Sequence, residues 1–273
     1  MAIRQGGGAM PAPLRVALDQ GTGRSGDTAS ALTRLRDRAR AAAAAGATLL
    51  VGPEMSLTGY NIGERVRELA EPEDGPLYEA VARIAVDTGV AVVYGFPELA
   101  DGRIYNAIRL VDTTGSSRAL YRKTHLFKDL DRGLFAPGAD LPVQVDFEGH
   151  RLGFLICYDV EFPETVRAHA LAGTTFLLVP TGLMAPNTSI STLLVPARAM
   201  ENQIHLAYVN RCDGEGDLDY VGLSTLVGPD GTELLRAGPT EELLIGEVDP
   251  SATEAVRAEL SYLDDRRADL YGH

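Results

Sequence analysis

A cysteine, a glutamate and a lysine, each ending an apolar run, could do chemistry together in this sequence: Cys157, Glu54 and Lys123. The stretch "GFLICYDVEFPE" (153–164) is apolar up to Ile156 and turns polar after Cys157, with Pro163 placed to open a helix. A thiol so placed lies at the carboxyl end of a strand, where open α/β sheets keep their sites. A nearby helix N-terminus favours its ionised form. Taken alone, Cys157 reads first as an inert core residue, because free cysteine is among the most buried side chains.

A thiol nucleophile needs a base. His125, His150, His169, His205 and His273 stand in no recognised cysteine–histidine pattern, which leaves a carboxylate. Glu54 ends "TLLVGPE" (48–54), a run of buried type, and a charge is rarely placed there without a partner or a function. A buried glutamate has a raised pKa and can take a thiol proton near neutral pH. A strand-end residue capping a loop is the other reading. Lys123 ends "ALYRK" in a chain whose two lysines are Lys123 and Lys128. Beside a reacting thiol it would stabilise a developing oxyanion, the largest electrostatic contribution in acyl transfer. A solvated edge charge is the plainer alternative. Cys157 and Cys212 fit neither a CxxC nor a Cys/His spacing, so neither a zinc site nor a disulfide framework is expected, and Cys212 reads as structural.

The elements that must position these residues alternate along the chain. Strands are expected at 14–19, 48–54, 90–98, 152–156, 175–180 and 205–210. Helices are expected at 27–46, 76–89, 163–172 and 195–203. A hairpin is expected from 105–112 and 119–127 around "TTGSS", and another over 224–238 around Pro-Asp-Gly, followed by a strand and a final helix. Alternation with interleaved hairpins points to an α/β protein with a mixed sheet. Asn106 and Asn210 read as residues satisfying backbone groups at strand ends. Residues 1–12 read as a flexible N-terminal extension and 13–273 as a single domain.

The 273 residues are 45% hydrophobic and carry a formal net charge of −13. The charge disfavours nucleic acid and anionic membranes, which are held by clustered Lys and Arg. No apolar run reaches the length of a membrane span or a secretion signal, so a cytoplasmic protein is expected.

Glu54, Lys123 and Cys157, in that order, resemble the carbon–nitrogen hydrolase (nitrilase) superfamily. "GPEMSLTGY" looks like its glutamate motif, "YRKTHLF" its lysine motif and "GFLICYDVEFPE" its cysteine motif, with "YGFPE", "FAPG", "ARAMENQ", "STLVGPDG" and "YLDDRRADLY" in support. The likeness runs over roughly residues 14 to 271. It implies a four-layer α-β-β-α sandwich of two mixed sheets, protomers pairing helix to helix into a homodimer or larger homo-oligomer, and no metal or organic cofactor. By the same resemblance Glu54 is the general base, Cys157 the nucleophile and Lys123 the stabiliser of the tetrahedral intermediate, with the Tyr158 backbone N–H as second oxyanion donor. Many members carry a second glutamate before an arginine, a few residues after the lysine. Here Asp131 precedes Arg132, one methylene shorter, and orients Lys123 or the substrate only if the backbone lies closer; a loop-capping aspartate is its rival reading. Tyr60 either hydrogen-bonds in the pocket, binding substrate, or packs. "CYD" resembles the amidase-like branch, which implies hydrolysis of a small aliphatic amide to acid and ammonia through a cysteine thioester. The alternatives are an N-carbamoyl amino-acid or ω-amide hydrolase, a nitrilase, and a catalytically silent binding protein.

Overall fold

A computed structural model describes residues 11–23 and 25–271. The proposed extension therefore falls almost wholly outside the described residues. Of its last two, Pro11 and Ala12, the Ala12 carbonyl lies 3.0 Å from the His150 ring nitrogen Nε2.

The first half of the chain builds one sheet and its helices. β1 (Leu14–Gln20) leads to α1 (Thr28–Ala44), whose first turn is capped by Asp27 accepting from the Ser30 amide at 3.0 Å. Then come β2 (Leu49–Val51), the short α2 (Arg65–Leu69) and α3 (Pro76–Thr88). The last begins with Pro76 and stops at Gly89, which takes the left-handed conformation (φ 67°) that ends a helix at little cost to glycine. β3 (Ala91–Ala100), β4 (Arg103–Val111) and β5 (Ser117–Arg122) form an antiparallel meander.

The second half follows with α4 (Lys128–Arg132), the hairpin of β6 (Gln144–Phe147) and β7 (His150–Phe154), α5 (Pro163–Leu171) and β8 (Phe176–Pro180). It continues with α6 (Val195–Asn202), β9 (His205–Val209), the two-residue strands β10 (Gly214–Glu215) and β11 (Leu218–Asp219), β12 (Thr225–Val227) and β13 (Glu233–Arg236). β14 (Glu242–Val248) returns to the first sheet before α7 (Pro250–Glu259).

Two six-stranded sheets result, ordered β14-β1-β2-β3-β4-β5 and β13-β12-β9-β8-β7-β6. Each has a parallel centre, β1-β2-β3 or β7-β8-β9, flanked by antiparallel neighbours. The alternation of side chains along a strand sorts the apolar residues into two layers. Val16, Leu18, Leu49, Val51, Ala91 and Val93 face the inter-sheet core with Phe154, Phe176 and Leu178 of the second sheet. Ala17, Leu50, Val92 and Tyr94 face α1 and α3, meeting Leu35, Ala39, Val81 and Ile84. α5 and α6 cover the second sheet through Val166, Ala170, Val195 and Ala199. The fold is the four-layer α-β-β-α sandwich. Truncating any of these large buried side chains to alanine would cost about 2–5 kcal/mol.

Three differences from the sequence reading bear on the site. The expected strand 119–127 stops at Arg122, because Lys123 leaves the ladder after one last bond from its amide to the Asn106 carbonyl at 2.8 Å. The strand expected over 152–156 ends at Phe154. β6 was missed: its link to β7 is the two residues Glu148 (φ 48°) and Gly149 (φ 84°), a left-handed pair that makes a tight hairpin without an Asn-Gly signature.

Candidate active site

The glutamate, lysine and cysteine each sit just beyond the carboxyl end of a strand: Glu54 after β2, Lys123 after β5 and Cys157 after β7. Gly182, after β8, joins them. The two sheets are stitched at this end, since the Glu54 amide donates to the Thr181 carbonyl at 3.3 Å.

Cys157 opens a tight 3-10 turn, Cys157–Glu161, with a left-handed backbone (φ 48°) that non-glycine residues seldom adopt. Asp159 holds that turn. Its Oδ2 accepts from the Ile156 amide (3.1 Å) and the Tyr121 hydroxyl (2.9 Å), and its Oδ1 accepts from the His125 amide (2.8 Å) and the Thr124 hydroxyl (2.9 Å). The turn bearing the thiol is thus tied to the two residues following Lys123. The Tyr158 amide belongs to the first turn of this 3-10 segment, where the next amide, of Asp159, donates to the Ile156 carbonyl at 3.0 Å. The Tyr158 ring packs edge-on against Phe127 and Phe162, and His125 stacks on Phe162 while its Nδ1 faces Asp159.

Glu54, Lys123 and Asp131 are wholly buried and form one chain of contacts. Lys123 Nζ donates to Glu54 Oε1 at 2.8 Å and to Asp131 Oδ2 at 2.7 Å. An ammonium has three protons, so one remains uncommitted. Glu54 Oε1 also accepts from Asn106 Nδ2 at 2.7 Å, whereas Glu54 Oε2 has no partner among the described residues. Asp131 lies in α4, and its Oδ2 also accepts from the Phe127 amide (2.8 Å) four residues back. The Tyr60 hydroxyl donates to Asp131 Oδ1 at 2.7 Å. The short helix brings the aspartate backbone close enough to reach Lys123, and Tyr60 both packs and hydrogen-bonds there.

Two carboxylates share one ammonium in a dry interior, and the electrostatics follow. Burial, reinforced by Asp131, pushes the Glu54 carboxyl up against the lowering pull of Lys123. Burial alone would lower Lys123, but Glu54, Cys157 and Asp131 hold it well above its usual value, so it stays an ammonium. Burial and the nearby Glu54 charge push the Cys157 thiol up. Lys123, the Thr181 side chain and the Gly182 amide only partly offset this. Cys157 therefore rests as a neutral thiol.

A cavity of about 230 Å³ opens on Cys157, with Phe127, Leu183, Met184 and Ile190 as apolar walls and Glu161 and Lys128 as its charged side chains. Among the described residues no group of three or more His, Cys, Asp or Glu is arranged to hold a metal ion. No helix among them is long and apolar enough to cross a membrane.

Sequence reasoning placed Asn106 at a backbone group, yet its amide serves Glu54; Asn210 does bond backbone groups, at Leu183 and Gly222. Thr181, Gly182 and Glu161 were missed. Only the last carried a signal, being an acidic residue four places after the cysteine in a turn that must face the same cavity.

Two mixed sheets between helical layers, with a buried thiol, carboxylate and ammonium gathered at the strand ends, define an enzyme of the hydrolase class that attacks carbon–nitrogen bonds. The sequence model of the carbon-nitrogen hydrolase family matches residues 15–258. The chain belongs to that family, the nitrilase superfamily, in its amidase-like branch. It is 47% identical over 260 residues to a Pseudomonas protegens protein named "Hydrolase in pqqF 5'region", covering 94% of this chain and 90% of that one. It is 39% identical to an (R)-stereoselective amidase of a Pseudomonas species, over 95% and 93% of the two chains. A glutamate variant of the amidase from Nesterenkonia sp. AN1 superposes with a TM-score of 0.86 at 36% identity, over 94% and 95% of the chains. That structure shows the acetamide moiety of fluoroacetamide added covalently at the active site cysteine of that amidase.

Proposed function

We propose that this enzyme hydrolyses a small aliphatic amide to a carboxylic acid and ammonia through a thioester on Cys157. The observation that carries the reading is the small cavity on Cys157, backed by Glu54 with one unpartnered oxygen and Lys123 with one uncommitted proton. Glu54 takes the thiol proton as sulfur attacks the amide carbon, and the oxyanion rests on Lys123 and the Tyr158 amide. When the C–N bond breaks, Glu54 returns its proton to the leaving nitrogen and ammonia departs. Water then adds to the thioester, giving its proton to Glu54. The C–S bond breaks and the sulfur recovers that proton. Asp131 keeps Lys123 in place and Tyr60 keeps Asp131 in place, so Tyr60 acts on substrate through Asp131.

An N-carbamoyl amino acid or ω-amide would need a cation for its carboxylate. No arginine lines the described cavity, and Lys128 stands at its exposed rim. Exposed Leu171, Leu193 and Met200 near α5 and α6 support pairing of protomers through that helical layer. Two free cysteines suit the reducing cytoplasm. The test is ammonia release from propionamide: turnover is expected, with loss of at least about a thousandfold in Cys157→Ala. No turnover on any amide of this size would remove the reading.

A further inference from the structure

Glu161 lines the cavity that opens on Cys157, and the mechanism above does not use it. It closes the same 3-10 turn that Cys157 opens, so turn geometry fixes its distance from the nucleophile. Its side chain is half-buried, and among the described residues no hydrogen bond or ion pair holds its carboxylate. The cations near it are engaged elsewhere. Lys123 serves Glu54 and Asp131, while Arg198 pairs with Glu201 at 2.9 Å and donates to the carbonyls of Val160 and Glu161. Lys128, at the exposed rim, rests its ammonium 5.0 Å from the Phe127 ring centre and forms no ion pair with Glu161.

A carboxylate left unpaired in a cavity that substrate must fill makes a choice among substrates. An anionic acyl chain is repelled by it. A neutral chain strips its water and offers nothing back, which is costly for a charge. A chain ending in an ammonium replaces that water with an ion pair. Burial already pushes the Glu161 carboxyl up, against the lowering influence of Lys123 and Arg198, which is the mark of a charge lacking a partner of its own.

We infer that Glu161 is a specificity determinant that selects amides whose acyl chain carries a cationic amino group, the ammonium pairing with Glu161 while the amide carbon meets Cys157. The inference rests on the amidase reading above and adds the substrate class. At about 230 Å³ the cavity suits a short amino-amide.

The test compares three amides of similar size: β-alaninamide (cationic), butyramide (neutral) and succinamate (anionic). Wild-type kcat/KM is expected to favour β-alaninamide over butyramide by about tenfold or more, with succinamate the poorest. In Glu161→Gln the preference should collapse, β-alaninamide losing about tenfold or more while butyramide gains. Glu161→Asp should keep the cationic preference, and Glu161→Lys should raise succinamate above β-alaninamide. Retained turnover of butyramide in the variants shows that they fold. Equal wild-type use of the three, or a Glu161→Gln effect that is the same on all, overturns the inference and leaves the amidase reading standing. Hydrolysis of none of them overturns the amidase reading itself.

Discussion

The Lys123 ammonium lies 2.7 Å from Asp131 Oδ2, and neither side chain is exposed to solvent. The same ammonium reaches Glu54, so the cluster holds two carboxylates for one cation. Removing Asp131 leaves Glu54 and Lys123 as a matched pair but takes a charge-assisted hydrogen bond from the ammonium, at a cost of about 1.5–3 kcal/mol. Asp131→Asn should therefore lower stability and, by letting Lys123 turn away from the oxyanion, reduce kcat at least about tenfold. Tyr60→Phe removes one neutral donor from Asp131, a loss of about 1 kcal/mol with a smaller fall in kcat. Denaturant melts and steady-state kinetics on both variants check the order.

Burial raises the Glu54 carboxyl, with Lys123 opposing, and in the role of base proposed for it Glu54 must be ionised to act. Activity should fall as pH drops through the Glu54 pKa. The acid limb of kcat/KM should then lie above the ordinary glutamate value of about 4.3. Glu54→Gln should abolish turnover at every pH, and an acid limb at or below the ordinary value would detach Glu54 from the role of base.

Because the Cys157 thiol is pushed up, the sulfur is protonated until substrate arrives. Cys212 is also raised, to about 11, mainly by burial. A thiolate ultraviolet band should be missing from the free enzyme at neutral pH, and Cys157→Ala should leave the spectrum unchanged there. A band that disappears in that variant would mean a preformed thiolate.

Gly182 leaves room beside Glu54. A Cβ built there would stand 3.2 Å from Glu54 Oε2, 3.3 Å from Tyr220 and 3.4 Å from Tyr60. Gly182→Ala should displace the unpartnered oxygen of Glu54 and cut kcat about tenfold or more, with little effect on thermal stability. Kinetics and melting temperature, measured side by side, separate the two effects.

His169 and His205 are buried and lowered to about 4, chiefly by burial, with His150 also lowering His205. In the unfolded chain each takes a proton near pH 6.5. The unfolded state thus binds more protons between about pH 6.5 and 4. Stability is fully present above that window and falls within it, on the order of 3 kcal/mol for each histidine. Denaturant melts across the window should show the decline, and His169→Gln should shrink it.

Much of the fold was readable because its strands are short apolar runs punctuated by glycine and proline, as in Leu49–Val51 before Gly52 and Pro53. Division of those strands between two sheets was not readable from alternation, since β14 returns to pair with β1 across most of the chain. Glu54, Lys123 and Cys157 stood out because a charge or thiol ended each apolar run. Asn106 did not, because a mid-strand residue gives no sign of a partner 52 positions away. Glu161 was hidden by its turn: nothing in the residue types marks Cys157–Glu161 as a 3-10 turn that begins with a left-handed residue and lines the cavity at both ends.

The central claim is an acyl group carried on Cys157. Enzyme mixed with propionamide, quenched in acid and weighed intact, should show a fraction heavier by one propionyl group, mapped by peptide digestion to Cys157 and missing from Cys157→Ala. Turnover that persists in Cys157→Ala, or an acyl group found on another residue, would contradict the account.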